Sequence, residues 1–396
     1  MTVPSTKLST AVAHVPPVRT LRRRLGWLSG AALAIVVSGC AHNAPQDSLR
    51  PAGTESKFID NLFVPVFWIA VAIFCLVAGL VVTFCIKYRA RGEDDRPRQV
   101  HGSTRIEIAW TIVPALLLIG VGAASVTGVF HLYRVPKGAP VTVQATSATS
   151  GTITGDVLHV NVIAHRWWFE YRYPGMGPNG KDLVTANELF IPVRRQVYLD
   201  ITSNEPLGSP ENATGHGIGD GVIHNFWVPR LAGKIYAIPG IHNHLILNAY
   251  AAGTYFGQCS EFCGISHANM RIRAVALNPD DFAAWAVNQQ QLAKVYTAAD
   301  QFTNPSVYAG FTLFKSTCTG CHTINGVSEK AAVGPNLTHL QTRTCFAGCI
   351  LPITDANLRL WLRNPQAVKP GANMIIPTKL TEDQITSIIA YLDTLK

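Results

Sequence analysis

Two long uncharged segments, residues 61–86 and 108–130, constrain this chain more than any other feature. Each exceeds the roughly 20 apolar residues needed to cross the hydrocarbon core of a bilayer. In lipid the backbone must satisfy its own hydrogen bonds, so both segments are expected to be helices. The loop between them carries Lys87, Arg89, Arg91, Arg96, Arg98 and Arg105. Short loops rich in Lys and Arg stay cytoplasmic. The hairpin, taken as residues 57–135, therefore sends everything after it out of the cytoplasm. Pro114 predicts a kink in the second helix, tolerated where neighbouring helices compensate. Glu107 stands at the cytoplasmic end of that helix. The ordinary reading is a solvated boundary charge, and the sharper one is a group on a proton pathway.

Upstream, Arg19, Arg22, Arg23 and Arg24 precede an apolar run over residues 25–37. That run is too short to span comfortably and reads as part of a signal peptide over residues 1–39. It ends Val37-Ser38-Gly39-Cys40, which resembles a bacterial lipobox. On that reading Cys40 becomes a lipidated first residue; the alternative is ordinary cleavage nearby. The net charge of +9 is concentrated beside these segments, which makes it a topology signal. No recognition helix or basic-aromatic platform accompanies it, so no nucleic-acid partner is expected. Nine cysteines are an odd number, and they sort by place rather than into one disulfide framework.

Residues 141–281 contain short β-type runs broken by Gly and Pro, over 157–164, 188–193, 196–201, 221–228 and 270–276. Such spacing predicts an antiparallel sandwich or barrel. Within it lies Cys259-Ser-Glu-Phe-Cys263-Gly-Ile-Ser-His267-Ala-Asn-Met270. Soft sulfur donors with imidazole favour copper or zinc over magnesium or calcium. Zinc prefers a closed set of four Cys or His ligands, whereas a thioether suits copper. A remote His224, in a β-like segment, could be brought across the sheet. Two Cys, two His and one Met match a pair of copper ions bridged by thiolates, with a structural zinc site as the alternative.

These residues carry a resemblance to cytochrome c oxidase subunit II. The segment 259–270 matches every fixed position of that family's copper A loop. Glu107-Ile-Ala-Trp110-Thr111-Ile-Val-Pro114 resembles the start of its second membrane helix, and His165-Arg-Trp167-Trp-Phe-Glu-Tyr171-Arg-Tyr173 its aromatic segment. Lys234-Ile-Tyr-Ala-Ile-Pro239-Gly240 resembles the turn before the copper loop. The similarity spans roughly residues 57–281 and implies a two-helix membrane hairpin followed by a cupredoxin-like sandwich. It also implies that Cys259 and Cys263 bridge both coppers and that His224 and His267 each bind one. Met270 is then a weak ligand, and the Glu261 carbonyl binds the other copper. The Glu261 side chain would face a magnesium ion shared with subunit I. Trp167 matches an exposed tryptophan through which electrons arrive. Glu107 matches a glutamate at the mouth of a proton channel in subunit I. Arg166 replaces the family's usual Gln, and Arg172 and Tyr236 fall where many members have acidic residues. Acidic side chains near the copper site attract a basic soluble cytochrome c, so direct docking there is weakened.

Residues 280–298 read as a helix, and residues 303–396 form a further unit large enough for one small domain. Cys318-Thr-Gly-Cys321-His322 is the c-type haem attachment pattern: two thiols form thioethers and the His binds iron. The context Gly334-Pro-Asn-Leu337, Lys369-Pro-Gly-Ala-Asn-Met374 and a terminal helix over 381–395 resembles class I cytochrome c, an all-α fold. There the methionine after Lys-Pro-Gly is the second axial ligand, which points to Met374. In that family a proline usually follows the methionine at once, whereas here Ile375 and Ile376 precede Pro377. Cys345 and Cys349 fit neither metal site; a disulfide suits an oxidising compartment, and a free pair is the alternative. His339 reads as a surface or packing residue, with a role in ligand switching as the alternative.

Together these readings describe subunit II of a haem-copper respiratory oxidase in a bacterial inner membrane, with its copper and haem domains on the periplasmic face. Its expected cofactors are copper A, haem c and the shared magnesium. Its expected partners are oxidase subunits I and III, and a soluble or membrane-bound cytochrome c or another small redox donor. Oxygen reduction and proton transport would occur in subunit I. A nitrous oxide reductase would need a histidine-rich copper cluster, and a quinol oxidase subunit lacks the copper ligands present here. A tethered electron-storage or copper-delivery protein would not need the motif around Glu107 and Trp110.

Overall fold

The computed structural model describes residues 44–89, 101–204, 221–329 and 333–396, with Gly30, Gly92 and Gln99. Apart from Gly30, the signal peptide lies outside the described residues, as do Cys40, Arg91, Arg96 and Arg98.

Helices Thr54–Lys87 and Thr104–Leu132 are both long and apolar enough to cross a membrane. The first begins seven residues before its uncharged segment and the second four residues before its own. They run unbroken through Pro65 and Pro114. Gly128 lets them approach, with Leu62 and Phe58 atoms 3.5 Å from the position of an added Cβ. At the outer end Arg134 forks onto the buried Glu55, with Nη2 2.8 Å and Nη1 3.3 Å from its two oxygens. Phe58 stacks on His131 with ring centroids 4.1 Å apart. The first helix is also fixed to the domain that follows. Thr54 N donates to Asn248 Oδ1 at 2.6 Å and Ser56 Oγ to Arg230 O at 2.7 Å. A side chain at Gly53 would run into the Asn248 and Leu231 carbonyls.

The next domain is all β. β1 (Thr142–Ala145) and β2 (Gly151–Thr154) form a small hairpin. Then come β3 (Val157–His165), β4 (Trp168–Tyr173), β5 (Leu183–Ala186), β6 (Glu188–Pro192) and β7 (Gln196–Ser203). They are followed by β8 (His224–Trp227), β9 (Lys234–Ala237), β10 (Asn243–Leu247), β11 (Gly253–Cys259) and β12 (Arg271–Leu277). Two five-stranded sheets result, in the orders β10-β7-β3-β4-β5 and β6-β12-β11-β8-β9. Their inner faces make the core. Leu158, Val160, Val162 and Ala164 alternate inward along β3, and Val197, Leu199 and Ile201 along β7. This period of two is the one the apolar runs predict. The pairing is mainly antiparallel, with β3–β7 and β6–β12 parallel.

The helix expected over 280–298 is shorter, Pro279–Gln289. Tertiary contacts take over from there: Gln289 Nε2 donates to Thr342 Oγ1 at 3.2 Å and Ala293 N to Asn325 O at 3.0 Å. The C-terminal domain is helical around Pro305–Thr317, Asp355–Arg363 and Glu382–Leu392. The first and last cross at Gly310, where an added Cβ would come 2.5 Å from the Ser387 carbonyl carbon. Phe311, Phe314, Ile385, Ile388, Ile389 and Tyr391 fill this second core. Thr381 caps the last helix in a reciprocal box with Gln384. Strands β13 (Cys345–Phe346) and β14 (Leu351–Pro352) close a short turn tied by a Cys345–Cys349 disulfide.

Candidate functional site

β11 pairs with β8 on one side and β12 on the other, with Cys259 opposite Phe226. That register carries His224 to the sulfur of Cys259, closing a sequence gap of 35 residues, with Nδ1 4.0 Å from Sγ. Beyond Cys259 the chain turns back to β12. Cys259 N donates to Met270 O at 2.9 Å, closing the loop, and Ser260 Oγ donates to Asn225 Oδ1 at 3.0 Å. The result is a compact donor set. The two sulfurs lie 3.8 Å apart, Cys263 Sγ is 3.5 Å from His267 Nδ1, and the Glu261 carbonyl oxygen is 3.3 Å from Cys259 Sγ. His224, Cys259, Cys263 and Met270 are all buried. The Cys263 sulfur pulls the Cys259 thiol well below its ordinary value against the opposing effect of burial, helped by His224 and the Asn225 and Glu261 backbone. A thiol held as thiolate is the form that ligates metal. Two cysteine sulfurs within reach of two imidazoles, with a buried methionine closing the loop, suit soft copper ions.

Trp167 sits beside this set. Its Nε1 donates to Cys263 O at 2.9 Å. The resemblance implies an exposed ring, but Trp167 is only 5% exposed. The physical reason is the C-terminal domain, which lies on it. An added Cβ at Gly371 would approach the far edge of the ring to 2.9 Å, and one at Gly264 would approach the near edge to 3.1 Å. Lys369 Nζ donates to Trp167 O and, at 3.0 Å, to Ala347 O. Ser266 Oγ donates to Pro370 O. Burial pulls the Lys369 ammonium down to about 7. A second contact lies on β6. The fully buried Glu188 accepts from Thr344 N at 3.0 Å and from Thr344 Oγ1, and faces Arg273 Nη1 at 3.7 Å. Glu188 also clusters with Cys345 and Cys349, but the disulfide leaves those sulfurs no thiolate to offer a metal.

In the C-terminal domain Cys318 and Cys321 lie just beyond the helix Pro305–Thr317. Burial raises the Cys318 thiol to about 11, and Cys321 is exposed. His322 Nδ1 is 2.9 Å from Pro335 O. A ring that donates from Nδ1 to a carbonyl presents Nε2 as the ligating nitrogen. Gly334 lets this loop pack on the imidazole, since an added Cβ would lie 2.7 Å from His322 Cε1. Met374 packs against the same helical core as Cys318. Its sulfur accepts from Trp361 Nε1 at 3.0 Å, which holds the loop that carries it. Paired thiols, an oriented imidazole and a thioether suit a covalently attached haem with two axial ligands. His339 is a packing residue, with Nδ1 2.8 Å from Lys396 O and Nε2 3.1 Å from Gln291 O.

Glu107 and Trp110 lie in the first two turns of the second membrane helix and are exposed. The Glu261 side chain is half-buried beside the Cys259–Cys263 turn. Sequence reasoning missed Glu188, Gly348 and Lys369 as parts of the contact between the domains. The signals were the unassigned Cys345 and Cys349 and the Lys-Pro-Gly run read only as context for Met374.

The chain matches the family described as cytochrome C oxidase subunit II, periplasmic domain, over residues 158–277. It matches that subunit's transmembrane domain over 46–127 and cytochrome c over 307–396. Cytochrome c oxidase subunit 2 of Alkalihalophilus pseudofirmus is 30% identical over 367 residues, covering 92% of this chain and 95% of that protein. The protein of the same name from Bacillus sp. strain PS3 is 31% identical over 319 residues, covering 78% and 79%. Among solved structures, the periplasmic domain of subunit II of cytochrome oxidase from Bradyrhizobium japonicum is 28% identical, with 33% of this chain and 90% of that chain covered and a TM-score of 0.27.

Proposed function

This chain belongs to the cytochrome c oxidase subunit II family, in a form with a fused cytochrome c domain, and on that premise we propose that it takes electrons from an outside donor at the C-terminal domain and delivers them through the β domain to subunit I. Subunit I would use them to reduce oxygen to water and to move protons. The observation that carries this reading is the placement of Trp167, with its indole on the Cys263 carbonyl and its far edge under the Lys369–Gly371 loop.

The residues fit the groups the family implies. Cys259 and Cys263 would bridge a copper pair, His224 and His267 would each hold one ion, and Met270 and the Glu261 carbonyl would complete the set. Cys318 and Cys321 would attach a haem whose iron His322 and Met374 bind. When bound, the copper pair and the haem supply one-electron chemistry, the soft bridging thiolates and the Met/His ligation setting potentials suited to rapid exchange. The protein's own part is orientation and exclusion of water. Asn225 and Met270 close the copper loop, Pro335 fixes the His322 ring and Trp361 holds the Met374 thioether.

The remaining roles extend the same reading. The Glu261 side chain would face a magnesium ion shared with subunit I. Glu107 would stand at a proton channel mouth in subunit I, where its exposed position on the helix is free to meet a partner. The units would be a signal peptide over 1–39, a membrane hairpin over 57–135, a copper domain over 141–281 and a haem domain over 303–396. The protein would be a multi-pass component of a bacterial inner membrane, with both soluble domains on the periplasmic side and a lipid anchor at Cys40. Subunits I and III would be its partners, and a small cytochrome c or similar protein its donor. A tethered haem domain has a high effective concentration at the copper domain, which fits the loss of acidic residues at Arg172 and Tyr236.

Stopped-flow mixing of the loaded chain with a reduced small cytochrome c tests the order. The haem band is expected to respond first and the copper band after it. Copper reduction that precedes haem reduction would refute the proposal.

A further inference from the structure

We propose that the Cys345–Cys349 loop and Lys369 form a latch that locks the C-terminal domain onto Trp167, making Lys369 and Gly348 positioning residues for electron transfer between the domains. The proposal rests on the relay reading above and adds what holds the relay together.

The contacts converge on a small area. Lys369 is 4% exposed, and its amine bridges the two domains by donating to the Trp167 carbonyl on one side and the Ala347 carbonyl on the other. The next residue of the loop, Gly348, accepts from Arg271 N at 3.0 Å. Arg271 directly follows Met270, so this bond ties the C-terminal domain to the end of the copper loop. Ala347, Gly348 and Cys349 have φ values of 55°, 77° and 59°. Consecutive left-handed residues are rare outside a closed turn. Here the disulfide closes the turn, and the conformation aims two successive carbonyls at Lys369 and Arg271. Gly348 has no room for a side chain: an added Cβ would lie 2.5 Å from Asn269 O and 2.8 Å from Trp167 O, and would strike Lys369 Nζ. Thr344, one residue before the loop, is anchored separately on Glu188. A tether raises the local concentration of a domain but fixes no orientation. Directional bonds to buried carbonyls do, because misplacement leaves those groups unsatisfied.

The test uses the full chain in detergent with copper and haem bound, carrying Lys369→Ala or Gly348→Ala. One readout is amide hydrogen exchange at Arg271. The other is the rate of copper reduction after flash reduction of the haem. Both variants are expected to speed exchange at Arg271 by roughly tenfold or more, as expected for loss of bonds to buried carbonyls. Transfer should slow in step with the docked fraction. The haem spectrum and the copper resonance should stay as in wild type, which separates lost positioning from lost folding. Wild-type exchange at Arg271 in both variants would overturn the latch. Faster exchange with an unchanged transfer rate would overturn the positioning role. If the unaltered chain passes no electron from haem to copper, the relay reading fails, while the exchange result still decides the latch.

Discussion

Replacing Trp167 with alanine removes a side chain that serves two domains at once. The ring is buried against Gly264 on one side and Gly371 on the other. Its indole N–H holds the Cys263 carbonyl at 2.9 Å. Truncating a buried Trp to Ala typically costs about 3–5 kcal/mol, through lost transfer energy and the cavity left behind. For a domain of this size each kcal/mol moves the melting temperature by roughly 2–4 °C, so the copper domain should melt roughly 6–20 °C lower. Trp167→Phe separates the contributions. It keeps most of the packing but removes the indole donor to the Cys263 carbonyl, at a cost of about 0.5–1.5 kcal/mol. Differential scanning calorimetry reads the stability, and flash reduction of the haem reads transfer to the copper site. Alanine should lower both the melting temperature and the transfer rate, with phenylalanine intermediate in stability. If the alanine variant melts with wild type and passes electrons at the wild-type rate, then Trp167 neither cements the domains nor lies on the path.

Gly310→Ala should destabilise the haem domain by at least about 1–3 kcal/mol, because the added methyl meets the Ser387 backbone where two helices cross; chemical denaturation followed at the haem band measures it, and a neutral result would refute the crossing. Acid stability should depend on Glu170. Burial alone would raise its pKa, but His165 and Arg172 outweigh burial and hold it below 4.5. The folded state therefore binds fewer protons than the unfolded one, and the stabilisation is complete above 4.5 and lost as pH falls through the folded value. Glu170→Gln should flatten melting temperature against pH below that point; an unchanged slope would assign the acid sensitivity elsewhere.

The parts of this molecule that were legible in its sequence are those whose determinants are local. The membrane helices declare themselves by length and absence of charge, and β3 and β7 by inward residues at every second position. Five of the six residues proposed to hold copper lie between Cys259 and Met270, so only His224 had to come from elsewhere, and strand register alone delivers it. The haem attachment pattern is likewise contiguous. What was not legible depends on one domain lying on another. The resemblance implies an exposed Trp167, but the lysine that bonds its carbonyl is 202 residues away. The helix after Pro279 stops at Gln289 because partners at Thr342 and Asn325 redirect the chain, not because any local breaker intervenes. Glu188 looks like the ordinary start of a strand until Thr344 is seated on it.

The central claim is that one chain holds both a dinuclear copper site and a Met/His-ligated c haem. Electron paramagnetic resonance and optical spectra of the purified full chain, loaded with copper and haem, test it together. The account predicts a delocalised mixed-valence signal from two equivalent coppers, lost in Cys259→Ser, alongside a low-spin haem spectrum that loses its methionine ligation in Met374→Ala. A single-copper signal, or zinc in place of copper, would contradict it.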